Sequence, residues 1–170
     1  MIAEIITIFL FYLFALLQSS FFVHFNFFGS VLNLVFIFLF LIVFFSPKKI
    51  DYTIIIYAII AGLFLDIFSY AYLGLSAVLL VIIAYLSKKI QASLKEKQDK
   101  YPFVYFLPLF LAWFLIYELL LMIYFRFADP SHALIIFNFG FLLGIIYNLL
   151  AASLGFYIFK KAKFYIKKDK

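Results

Sequence analysis

Two carboxylates carry most of the chemistry this chain could do. Asp66 and Glu118 are the only acidic residues inside its long apolar runs. A carboxylate in hydrocarbon is costly, so such a group faces the interior, takes a proton or finds a partner. A neighbouring pair with unequal environments could act as general acid and base, but no local spacing sets that geometry. Arg126 is the nearest cation in prospect for either acid. His24, His132 and Asp129 could form a two-His, one-carboxylate metal set only if distant segments converge. H-E-x-x-H, G-x-S-x-G and P-loop patterns are absent from the sequence. Cysteine is absent too, which removes thiolate ligands, Cys nucleophiles and disulfides. This inventory points away from an enzyme, from a metal and from any cofactor.

The elements that must position these groups follow from composition. Of 170 residues, 69% are apolar and 13% charged, with 27 Phe and 13 Tyr. Soluble domains are about 45–50% apolar and about 25% charged, so the chain reads as an integral membrane protein. Apolar runs at 5–23, 31–45, 52–68, 73–86, 103–125 and 133–159 predict six transmembrane helices in a single domain, 1–170. The first run lacks a basic n-region and a small-residue cleavage site, so it reads as a retained span.

The cations support an even number of crossings. Lys48 and Lys49 follow the second run, and Lys88, Lys89, Lys95, Lys97 and Lys100 follow the fourth; six more lysines crowd the tail, 160–170. Arg126 alone lies after an odd-numbered run. Cytoplasmic loops collect Lys and Arg, so both termini are expected in the cytoplasm. The net charge of +6 is then a topology signal, and the tail suits anionic lipid headgroups rather than nucleic acid. In this orientation Gln18, Asn33, Asp66, Glu118 and Asn138 fall in the outer half of their spans, with Asn148 near mid-depth. The segment 18–30, rich in Phe around His24 and Asn26, suits the outer interface.

Only 36 residues separate Asp51 from Lys88. With about five in a turn, each leg has about 15 residues and rises about 23 Å, short of about 30 Å of hydrocarbon. The third and fourth spans therefore predict a short hairpin whose turn lies within the bundle or at the floor of an outward-facing hollow. Gly140, Gly144, Asn148, Ala151 and Gly155 share one face of the sixth span, and Ala58, Gly62 and Asp66 one face of the third. Such stripes let another backbone approach, either within the bundle or from a partner's helix.

The block from Gly62 through Asp66 to Gly74 resembles the G-x-x-x-D-x(7)-G hairpin of the MreD family of rod shape-determining membrane proteins. Gln18-Ser19 resembles the Gln-Ser/Thr pair that ends that family's first span, Asn148 a recurring Asn of its sixth, and Glu118 an acidic residue of some members. Leu32-Asn33 stands where members often show Pro-Asp or Pro-Asn. The resemblance implies a non-catalytic scaffold of the bacterial cell-elongation machinery in the inner membrane, binding MreC. It also implies work with RodA, a class B penicillin-binding protein and MreB filaments to maintain cell shape. Gln18, Asn33, Gly62, Asp66, Gly74, Glu118, Gly140, Gly144 and Asn148 are the expected partner-binding or polar-core residues. The rival reading is the substrate-binding subunit of an energy-coupling-factor vitamin transporter, a six-helix class thought to share this fold. This chain carries Met1-Ile2 where the cobalt and nickel members carry Met-His, and has only Ala3 and Ala15 in its first span.

Overall fold

A computed structural model describes residues 2–25, 31–46, 52–68, 72–94, 100–128 and 139–168. Six α-helices are present among them, and no strand: α1 (Ile2–Leu16), α2 (Leu34–Phe45), α3 (Tyr52–Phe68), α4 (Leu75–Ser93), α5 (Pro102–Ala128) and α6 (Phe139–Lys168). A π-helical turn, Leu17–Phe21, and a 3-10 turn, Phe22–Phe25, prolong α1. Four helical stretches are long and apolar enough to cross a membrane: Glu4–His24, Leu75–Ser93, Pro102–Phe127 and Phe139–Ala162. α2 and α3 are apolar but shorter.

α2 is the axis of the bundle. Its 12 residues are apolar on every side, and a helix of that kind must be surrounded by protein or lipid. Here protein surrounds it: α2 contacts each of the other five helices, and every residue from Val35 to Leu41 is buried. Phenylalanine does much of the filling. Phe36, Phe40 and Phe44, one turn apart, interleave with Phe106, Phe110 and Phe114 of α5, with ring centroids 5.0–5.8 Å apart in edge-on or tilted pairs. Phe38 turns the other way, 5.0 Å from both Phe11 and Phe14 of α1. Offset and edge-to-face pairs of this kind contribute beyond their buried area, about 0.5–1.5 kcal/mol each. Outward, α1 presents Ile2, Ile5, Phe9 and Leu13, and α6 presents Leu142, Ile146, Leu150 and Leu154. Such continuous apolar walls belong against hydrocarbon or another helix.

The most extensive helix pair is α3 with α4. Gly62 explains how closely they pack, because a Cβ there would lie 2.2 Å from the Cα of Ala77. The fourth helix differs from its apolar run, which stops at residue 86, whereas α4 continues to Ser93. Ser87, Lys88 and Gln91 are consequently buried rather than set in a solvated loop. Its Nζ helps Lys88 to tolerate this by donating to the Ser46 carbonyl at the end of α2, 3.2 Å away. The expected hairpin thus has a 17-residue first leg and a 19-residue second one.

Candidate functional site

Two helices of the bundle begin within its polar end, and each leaves backbone N–H groups that need acceptors. The first four N–H groups of any helix lack intrahelical partners, and without water each unsatisfied one is expensive. The residues singled out in the sequence meet this need.

At α4 the acceptor is Asp66, reaching across from the last turn of α3. Its Oδ2 accepts the Gly74 N–H at 2.7 Å and its Oδ1 accepts the Ser76 N–H at 3.0 Å. The carboxylate is 1% exposed and sits at the positive end of the α4 dipole, where a negative charge is favoured. Gly74 turns the chain into the helix with φ +100°, a left-handed conformation that costs residues with a Cβ. The eight-residue step from Asp66 to Gly74 is therefore the reach of a cap delivered from a neighbouring helix. Tyr117 of α5 joins the cluster, its hydroxyl donating to Ser76 Oγ at 3.1 Å.

At α2 the acceptors are two asparagines. Asn33 caps its own helix, its Oδ1 accepting the Phe36 N–H at 3.0 Å. Asn148 of α6 supplies the rest: its Oδ1 accepts the Asn33 N–H at 2.8 Å. Its Nδ2 donates to the carbonyls of Gly144 at 2.9 Å and Val31 at 3.4 Å. The stripe on α6 consequently faces α2 within the bundle, and a Cβ at Gly155 would meet Leu41 Cδ1 at 2.7 Å. Gly140 is buried on the same helix.

The structure separates the two acids. Asp66 is committed to backbone amides, whereas Glu118, on the adjoining turn of α5, lines a cavity of about 140 Å³ with Gln18, Asn33, Ser76, Tyr117 and Phe125. A second hollow of about 230 Å³ shares Gln18 and Leu65 with it and extends along Ser19, Val23, Val31 and Phe68. Asp66, around which a hollow was expected, lines neither of them, whereas Glu118 lines the first. Arg126 is exposed at the end of α5 and pairs with neither acid. Among the described residues no three His, Cys, Asp or Glu side chains gather in a metal-binding group. Asn138, Asp129 and His132 lie outside the described residues, as do Lys48 and Lys49, whereas His24 is exposed and bonds the Ser20 carbonyl.

A family model described as rod shape-determining protein MreD matches residues 1–165. The chain belongs to the MreD family. No curated protein and no solved structure matches it. Membership gives the chain a role in rod-shape determination, and its apolar helices make it a transmembrane protein. The glycine and aspartate block on which the resemblance rested becomes, in this chain, a close helix crossing closed by a capping carboxylate. Ser76 and Tyr117 belong to the same polar cluster and were missed in the sequence, as was the burial of Lys88 and Gln91 at the other end of α4. Ser76 follows Gly74 by two residues, where a helix's free N–H groups lie, and that position was the available signal.

Proposed function

We propose that this protein is a non-catalytic scaffold of the cell-elongation complex. It crosses the bacterial inner membrane six times with both termini in the cytoplasm. It binds MreC and, with RodA, a class B penicillin-binding protein and MreB filaments, organises peptidoglycan synthesis along the cell. The observation that carries this reading is the family match over nearly the whole chain. Two features support it. Asp66, the most deeply placed acid, spends both oxygens on backbone amides, so its role is architectural. The Lys-rich segments of the sequence all lie after even-numbered helices, as cytoplasmic loops and a cytoplasmic tail require.

Depletion of the protein in a rod-shaped host tests the proposal. Cells should widen and round while sidewall incorporation of a fluorescent D-amino acid becomes dispersed, and re-expression should restore both. Unchanged width and labelling after depletion would contradict it.

A further inference from the structure

The cavity beside Glu118 holds an acceptor with no partner among the described residues. Gln18 Oε1 is buried with no hydrogen-bond partner, a costly state for a carbonyl away from water. Glu118 lines the same cavity, and none of the described residues lining it is a lysine, arginine or histidine. A carboxylate and an orphaned carbonyl in the membrane half of a protein call for a donor-rich cation. Size limits it further. At about 140 Å³ the cavity is below the roughly 300–1,000 Å³ of sites for drug-sized ligands, so it takes a group of a few heavy atoms. Tyr117 and Phe125 add aromatic wall, which suits a cation. The adjoining hollow, reached past Gln18 and lined by Ser19, Val23 and Phe68, has room for whatever that group is attached to.

We propose that this cavity binds a primary ammonium group, with Glu118 supplying the counter-charge and Gln18 Oε1 a further acceptor. A primary ammonium carries three N–H donors, enough to serve both residues at once. Its source is the headgroup of phosphatidylethanolamine or a free amine of similar size. The site is independent of partner binding, so it stands or falls apart from the scaffold role.

The test uses the full chain in detergent, with lipids added one at a time and retention read by native mass spectrometry. Phosphatidylethanolamine should be retained about tenfold more than phosphatidylcholine, which has the same phosphate but no N–H donor. Glu118→Gln, nearly isosteric but neutral, should abolish that preference, and Gln18→Leu should weaken it, while Arg126→Ala leaves it intact. Thermal unfolding in phosphatidylglycerol verifies that each variant is folded, and the Gln18 variant keeps the test available if the Glu118 variant is not. Displacement of the lipid by millimolar ethanolamine would show that the ammonium alone is recognised; resistance would assign the site to the lipid. Equal retention of the two lipids by the wild type, or an undiminished preference in Glu118→Gln, would overturn the proposal. So would a partner protein's lysine cross-linking to Glu118 when neither lipid is preferred.

Discussion

Replacing Gly62 with alanine sets a methyl group where the backbone of α4 already stands. The new Cβ would lie 2.2 Å from Ala77 Cα, 2.3 Å from Ala77 N and 2.7 Å from the Ser76 carbonyl carbon. All three are main-chain atoms, so no side-chain rotation relieves the clash. Carbon contacts settle near 3.5–4.0 Å, so α3 and α4 must part by about 1–1.5 Å. That displacement acts directly on the cap. The Asp66 bonds to Gly74 and Ser76, now 2.7 and 3.0 Å, would open beyond the range in which they count as hydrogen bonds. Overpacking alone costs about 1–3 kcal/mol. Weakening bonds to a charged acceptor adds about 1.5 kcal/mol or more. A loss of about 3–4 kcal/mol corresponds to roughly 6–16 °C for a chain of this size. Gly155→Ala is the matched control, because its Cβ would meet side-chain atoms alone, Leu41 Cδ1 at 2.7 Å and Ile37 Cγ2 at 4.0 Å. Thermal unfolding of both variants in one detergent, followed by the fluorescence of Trp113, gives the comparison. If Gly62→Ala melts within 2 °C of wild type, or no lower than Gly155→Ala, the close crossing does not hold the cap.

The other predictions address separate joints. Asn148→Leu strands the Asn33 N–H inside the bundle and should cost about 2–3 kcal/mol, read as faster amide exchange at the start of α2 together with a lower melting temperature. Tyr117→Phe removes one hydroxyl donor from Ser76 and should cost only about 1 kcal/mol by the same melting assay. The natural chain has no cysteine, so Lys170→Cys gives a single label. A membrane-impermeant maleimide should react with it only after the cells are permeabilised.

Much of the fold was legible because each long apolar run reports a helix directly. Each of the six runs contains most of one helix, and the Gly62, Asp66 and Gly74 spacing marked the α3–α4 turn before any contact was known. Burial was harder to read. Lys88 looked like a loop residue because a lysine after an apolar run ordinarily is one; the Ser46 carbonyl at the end of α2 helps to make its burial tolerable. The α6 stripe could have faced a partner or the bundle, since small residues permit close approach without naming the neighbour; Asn33 and Leu41 supply that answer. Asp66 and Glu118 looked equivalent in sequence. They differ because α4 begins beside one of them and an open cavity beside the other.

Affinity capture of the tagged protein from its native membrane in mild detergent, with the co-purifying proteins identified by mass spectrometry, tests the central claim most directly. MreC should co-purify, accompanied by RodA or its transpeptidase. Recovery of a pair of ATPases and a transmembrane coupling protein in their place would contradict it and make the chain a transporter subunit.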